Sequence, residues 1–286
     1  MTSRSPDDAV ASRFGPAIDA RASFARVRAA LAQVLAGLSA ADWQQPTVCA
    51  PWLVRDVVAH ILGDDLSRLS RSRDGHRAAG PAAGETLPLF LHRHNQQWVE
   101  AAASVSPVLL PDLLASVTPQ VLAYWRSADM TALGEAVSWA DPGPAPVWLD
   151  CARDFTEYWT HLHQILEATG RPALADDQVL HMALDTFLRA LPLTLQQAAP
   201  ADASGALTIR VPGPAGGAWT CQRAGSTWSW AGQPAGPGAT TVSIDADLLW
   251  RLCTRGIEPA RALQGAEVDG DRQLAGAALQ IVSIIR

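Results

Sequence analysis

Lysine is absent from this chain. All 22 basic residues are arginine, and they are scattered rather than gathered into a basic block. Against 28 acidic residues they leave a formal net charge of -6, which argues against nucleic acid as a partner. Long apolar runs are missing too. A bilayer-spanning helix needs about 20 predominantly apolar residues in a row, and no stretch meets that, so no membrane partner is expected. The opening residues Met-Thr-Ser-Arg-Ser-Pro-Asp-Asp have no apolar signal core, and a cytoplasmic protein is expected. Cysteine is sparse. Cys49, Cys151, Cys221 and Cys253 lie far apart with no C-x-x-C spacing, which argues against a zinc knuckle and a redox dithiol. Reduced, mostly buried thiols are expected instead.

What is present fits a soluble globular protein. The hydrophobic fraction is 48% and the charged fraction 17%, and 286 residues accommodate one large domain or two ordinary ones. The 11 tryptophans are many for this length, and core packing is the ordinary role for most of them. Exclusive use of arginine together with abundant alanine suggests a GC-rich genome.

The first half reads as helical. Phe24, Val27, Leu31, Val34, Leu35 and Leu38 recur at helical spacing, and Val54, Val57, Val58, Ile61, Leu62 and Leu69 form a second stripe after Pro51. Leu89, Phe90, Trp98 and Val99 mark a third helix. Ser106-Pro107 opens a fourth, running through Leu113, Leu114, Val117, Val121 and Trp125. Residues 141–146, Asp-Pro-Gly-Pro-Ala-Pro, read as a loop. The next helix ends at Gly170 with Arg171-Pro172 beyond, a stop signal. Near residue 173 the character changes. A helix from about Asp177 to Gln197 leads into strand candidates at 206–211, Ala218–Gln222, Thr227–Trp230 and 240–244. Helices are expected around Leu248–Cys253, Pro259–Leu263 and Arg272–Ile285. The expected architecture is a flexible N-terminus (residues 1–17), a four-helix bundle (18–172) and a small α+β domain with an antiparallel sheet (173–286).

Three residues stand out for chemistry. Trp52-Leu-Val-Arg-Asp-Val-Val-Ala-His60 reads as the start of one helix and Glu157-Tyr-Trp-Thr-His161 as the middle of another. Residues four apart share a helix face, so Glu157 and His161 can grip one ion while His60 supplies a third ligand from a facing helix. Two histidines and a carboxylate with an open fourth position make a catalytic zinc arrangement. At about 100° per residue His161 lies about 40° from Glu157, whereas His163 lies about 160° from His161, so a metal on the pair excludes His163. The stripe Phe155, Leu162, Ile165 and Leu166 lies beside the pair and places it at the edge of the core.

The same residues have ordinary readings. Glu157 and His161 can be a surface i,i+4 hydrogen-bonded pair, and His60 can be a surface histidine paired with Asp64. His92 and His94 diverge on a helix, and His76 and His181 carry no pattern. Asp64 and Asp65, with Arg68, Arg71 and Arg73, read as a solvated helix face.

Taken together, Asp42-Trp-Gln-Gln-Pro-Thr47, Pro51-Trp-Leu-Val-Arg-Asp-Val-Val-Ala-His60 and Arg153-Asp-Phe-Thr-Glu157-Tyr-Trp-Thr-His161 resemble the mycothiol-dependent maleylpyruvate isomerase family of the DinB-like metalloenzyme superfamily. Residues 240–254 and Glu267-Val-Asp-Gly-Asp271 look like the sterol-carrier-like C-terminal domain of such proteins. The resemblance implies a DinB-like bundle, a divalent metal (zinc) held by His60, Glu157 and His161, and mycothiol as cosubstrate. It also implies an aspartate three residues after the second histidine, where this chain has Gln164. Thiolate delivered at the metal would attack a small electrophilic substrate, giving thiol transfer or cis-trans isomerisation. Arg210 and Arg223 are candidate carboxylate-binding residues from the second domain. A thiol-independent zinc hydrolase and a non-catalytic binder of a small ligand are the alternatives. A monomer or a homodimer is expected.

Overall fold

A computed structural model of the chain describes residues 13–76, 80–203, 205–231, 236 and 238–284. Residues 1–12 of the expected flexible N-terminus, and Ile285 of the expected last helix, lie outside them. Backbone proximity divides the chain into two units. The division is not the contiguous one expected at residue 172. Asp129–Thr156 groups with Asp176–Ile284 and the residues before Arg21, while Arg21–Ala128 and Glu157–Ala175 form the other unit. The cut falls within one continuous helix, Val147–Ala168, which is why the sequence shows no boundary there.

The helical unit contains α1 (Arg21–Ala36), α2 (Val54–Arg68), α3 (Leu87–Ala102), α4 (Leu109–Ser127) and the C-terminal half of α5 (Val147–Ala168). Helix α2 packs on α3 and α4, and α1 packs on α4. The stripe of α2 is buried as its periodicity demands: Val54, Val57, Val58 and Ile61 are fully inaccessible. Each such side chain contributes about 1.5–3 kcal/mol of burial free energy. Gly63 gives α3 its close approach. A Cβ there would lie 2.5 Å from the Trp98 indole, whose Nε1 donates to the Ala59 carbonyl at 2.7 Å. Helix α5 ends as its glycine signal specifies: Gly170 adopts φ +64°, and the Arg171 amide donates back to Leu166 at 2.8 Å.

One expectation for α2 is overturned in part. The acidic pair and arginine series form a solvated face only in part: Arg73 is exposed and Asp64 half-buried, but α2 meets neighbours on more than its apolar stripe. Asp65 and Arg68 are buried. Asp65 accepts from the Arg28 guanidinium of α1 at 2.5 Å and from the Tyr158 hydroxyl of α5 at 2.6 Å. Arg28 also donates to Thr118 of α4 and lies over the Tyr158 ring, 4.5 Å from its centroid.

The second unit opens with a hairpin that the sequence pattern does not reveal. β1 (Leu133–Ala136) pairs antiparallel with β2 (Pro144–Pro146), a proline-rich strand of the kind restricted to sheet edges. Helix α6 (Asp177–Phe187), a 3-10 turn (Leu188–Ala190) and α7 (Leu191–Ala198) replace the single helix expected over 177–197. Pro192 lacks the amide a continuous helix would use and fits only near a helix start. The strands are β3 (Ala206–Val211), β4 (Gly217–Ala224), β5 (Thr227–Trp230), β6 (Thr240–Ser243) and β7 (Glu267–Asp269). They form one sheet in the order β5-β4-β3-β6-β7. Its pairings are antiparallel, as expected, apart from the parallel pair β3–β6. Helices α8 (Ala246–Cys253), α9 (Pro259–Gly265) and α10 (Arg272–Ala278) complete the unit. The unit also buries Arg189, which pairs with Asp185 at 2.9 Å and caps the carbonyls of Phe14 and Pro16.

Removing one member of a buried ion pair strands the other, at a cost of about 3–5 kcal/mol. Asp65→Ala is expected to lower unfolding free energy by that amount in urea titrations. Tyr158→Phe, which removes one hydrogen bond to a buried carboxylate and keeps the ring, is expected to cost about 1.5–3 kcal/mol.

Candidate metal centre

The turn before α2 is built to aim that helix. Pro46 and Leu53 form an isolated antiparallel bridge, and the Val54 amide donates to Gln45 at 2.9 Å. The Leu53 amide donates to Asp56 Oδ2 at 3.0 Å, so the acidic residue of the first turn closes the helix start. His60 then falls in the second turn, 3% exposed. Across from it, α5 presents Glu157 and His161 one turn apart. Glu157 Oε1 lies 3.1 Å from His161 Nε2 and 3.4 Å from His60 Nε2. The two imidazole rings meet edge to face, centroids 4.9 Å apart. Thus both histidines turn the same ring nitrogen toward one carboxylate oxygen, and all three residues belong to the helical unit.

Their surroundings differ. His60 and His161 are buried, whereas the Glu157 side chain is 29% exposed, so the cluster opens on the carboxylate side. Burial pushes the Glu157 carboxyl upward. Hydrogen bonds from His161 and His60, and then their charges, more than reverse this and hold the group well below the usual carboxylate range. For His60, burial pushes the imidazole pKa down. The Asp64 charge and the Glu157 hydrogen bond push it up, and the balance lies above the ordinary 6.5.

The donor set suits a metal ion. The three donor atoms lie within 4.8 Å of one another. Ligand atoms about 2.0–2.1 Å from a tetrahedral zinc stand about 3.3–3.4 Å apart, close to the separations of 3.1 and 3.4 Å found between Glu157 and the two histidines. Among the described residues the cluster has three members, the number that leaves a tetrahedral position open. Two imidazoles and a carboxylate also suit zinc chemically.

The sequence expectations fare unequally. Helical phase correctly separates His163 from the pair: its ring packs on Trp159 at 4.1 Å. The i,i+4 partner expected for His60 is present, with Asp64 Oδ2 at 3.4 Å, but His60 is buried rather than on the surface. Arg210 and Arg223 belong to the sheet-containing unit. Arg210 is exposed on β3. Arg223 donates to the carbonyls of Gly225, Pro200 and Ala203, which commits most of its guanidinium to holding its own loops. Cys151, Cys221 and Cys253 are buried as expected, and Cys49 is half-buried. Burial pushes the Cys253 thiol up to about 12, an inert state.

Further contacts surround the two histidines. The Trp52 ring lies against His60, centroids 5.0 Å apart, with its Nε1 bonded to Gln96 at 2.9 Å. Gln164 Oε1 accepts from His161 Nδ1 at 2.7 Å. The Cys49 thiol donates to the same oxygen at 3.2 Å. The i,i+3 spacing of His161 and Gln164 is a legible signal. Cys49 and Gln164 are 115 residues apart, and no local pattern joins them.

No curated protein sequence matches the chain. Two solved structures do, those of a mycothiol-dependent maleylpyruvate isomerase and of a histidine-to-alanine mutant of that enzyme. The TM-scores are 0.52 and 0.51, each at 13% identity, covering 87% of this chain and 91% of the other. Likeness at that identity establishes a shared fold. The sequence pattern of the mycothiol maleylpyruvate isomerase N-terminal domain matches residues 24–166, a span that holds His60, Glu157, His161 and Gln164. That span is half of the 286 residues, and the chain belongs to this family.

Proposed function

We propose that this chain is a metal-dependent enzyme that uses mycothiol to isomerise, or to transfer its sulfur to, a small electrophilic substrate of the maleylpyruvate class. His60, Glu157 and His161 would hold the metal, with zinc as the ion. The observation that carries this reading is the convergence of two imidazole Nε2 atoms on one carboxylate oxygen at 3.1 and 3.4 Å, open on the carboxylate side. Family membership supports the thiol.

Glu157 is ionised across the working pH range, because its pKa lies well below that of an ordinary carboxyl. A dication here would face the Glu157 carboxylate and, 3.4 Å from the same His60 nitrogen, the Asp64 carboxylate; a thiol bound to such an ion would be held as thiolate near neutral pH. Trp52 packs against the ring of the buried His60. Gln164 fixes the His161 ring from behind. Thiolate addition to an activated double bond turns that bond into a single bond. Rotation and expulsion of the same thiolate then restore the alkene in the other geometry, and the thiol is regenerated. Where the attacked carbon bears a leaving group, the same attack yields a thioether and releases that group.

Wild-type protein is expected to bind one equivalent of zinc per chain. His60→Ala, His161→Ala and Glu157→Gln are each expected to lose the stoichiometric complement, read by elemental analysis after exhaustive dialysis. A full complement in the two histidine variants would reject the site.

Isomerisation of maleylpyruvate by the zinc form is expected to rise with added mycothiol and to vanish without it. Failure of mycothiol to bind at millimolar concentration, with thiol-independent hydrolysis of an ester or amide in its place, would favour the zinc-hydrolase alternative.

A further inference from the structure

We infer that Gln96 is a positioning residue for this centre: from α3, a helix that carries none of the three candidate ligands, it grips the Trp52 indole and so holds that ring against the His60 imidazole. The inference rests on the metal-centre reading and concerns what keeps His60 aimed at Glu157.

The backbone of α2 sets where the His60 side chain starts, and a side chain on a fixed backbone still has rotamers to choose among. Two rings narrow that choice. The His161 ring meets the His60 ring edge to face, centroids 4.9 Å apart, and the Trp52 ring packs on it at 5.0 Å, tilted by 44°. His161 is itself a candidate ligand, so Trp52 is the ring that supports His60 from outside the centre. Trp52 belongs to the turn ahead of α2, and its backbone is tied there. Its amide donates to the Cys49 carbonyl at 2.9 Å, and its carbonyl accepts from Thr47 Oγ1 at 2.8 Å. Neither bond reaches the indole.

The indole is fixed by α3. Its Nε1 donates to Gln96 Oε1 at 2.9 Å. Trp52 is half-buried, and an indole N–H so placed takes a conformation that gives it a partner. The amide that supplies the partner has one orientation open to it. Trp52 Nε1 only donates, and on the other side the Glu100 carboxylate accepts from Gln96 Nε2 at 3.0 Å. Both neighbours therefore call for the carbonyl oxygen to face the indole. A second tether joins the same two helices: Trp98 Nε1 donates to the carbonyl of Ala59, the residue before His60, at 2.7 Å. Helix α3 thus holds the α2 backbone beside His60 through Trp98, and the ring against His60 through Gln96. All of these residues belong to the helical unit.

The test uses two readouts on the full chain. Ring-proton NMR of His60 in the zinc-free protein at alkaline pH reports its contact with Trp52, with His60→Ala supplying the assignment, and chelator competition reports zinc affinity. Gln96→Leu, similar in volume and without an acceptor, is expected to shift the His60 ring protons and to weaken zinc binding about 3–10-fold, the worth of one hydrogen bond. Trp52→Phe, which keeps a ring and removes the donor, is expected to weaken zinc binding to a similar extent. In the Trp52→Phe background, Gln96→Leu is expected to change neither readout. An unchanged His60 signal in Gln96→Leu overturns the inference, and so does an unchanged affinity in that variant when wild type binds zinc. An equal effect of Gln96→Leu in the wild-type and Trp52→Phe backgrounds also overturns it, because Gln96 would then act through the packing of α3 and not through the indole. If wild type binds no zinc while Gln96→Leu still shifts the His60 ring protons, the positioning of His60 stands and the metal reading falls.

Discussion

The ion pair between Arg28 and Asp65 is the constraint on which the helical unit turns. Both side chains are shut off from water, 2% and 0% exposed, at 2.5 Å. Each charge would be costly alone in that environment, so the two must stay together, and with them the helices that carry them. Tyr158 adds α5 through its bond to Asp65, and Thr118 adds α4 through Arg28. Asp65 and Tyr158 stand on the same two helices as the candidate ligands. Tyr158 directly follows Glu157, and Asp65 lies little more than one turn beyond His60. A rule about where charge can be buried thus becomes a rule about how α2 faces α5, and that facing sets the 3.4 Å between His60 and Glu157.

The centre obeys the same physics with a different resolution. Burial opposes the charge on Glu157, and the two imidazoles counter it. The resulting cluster has a single carboxylate shared by two nitrogen donors, more than a helix-surface pair needs. An i,i+4 pair on an exposed face would be worth a few tenths of a kcal/mol and would not call for a buried histidine from another helix. His60 is what separates this cluster from that ordinary case.

How much of this was legible depended on whether the cause was local. Periodicity marked the helices because each buries a stripe, and helical phase alone separated Glu157 and His161 from His163. Gly170 marked the end of α5 because its left-handed backbone at φ +64° is a local demand. The misses share the opposite character. Prolines hid β2, whose strand identity comes from its partner β1 rather than its composition. The parallel pairing of β3 with β6 is a fact of topology that no strand reveals by itself. Asp65 and Arg68 looked solvated because charge implies exposure unless a partner is known, and the partner of Asp65 is 37 residues upstream. The link between Cys49 and Gln164 spans most of the helical unit in sequence and had no local trace at all.

Gln164 shows why family and fold do not transfer every property of a site. A shared fold at 13% identity preserves the scaffold that brings two helices face to face. It leaves the groups behind the ligands free to vary, and those groups tune a metal centre as much as the ligands do. Where the resemblance leads one to expect a carboxylate behind the second histidine, this chain has an amide. The substitution removes a negative charge from the surroundings of His161 and adds an orientational ambiguity. The first change lets any ion held here keep more of its charge. The second must be suppressed by another group, and the donor that contacts the same oxygen is Cys49. The amide oxygen of Gln164 and the thiol of Cys49 thus meet on one buried axis that ends at His161.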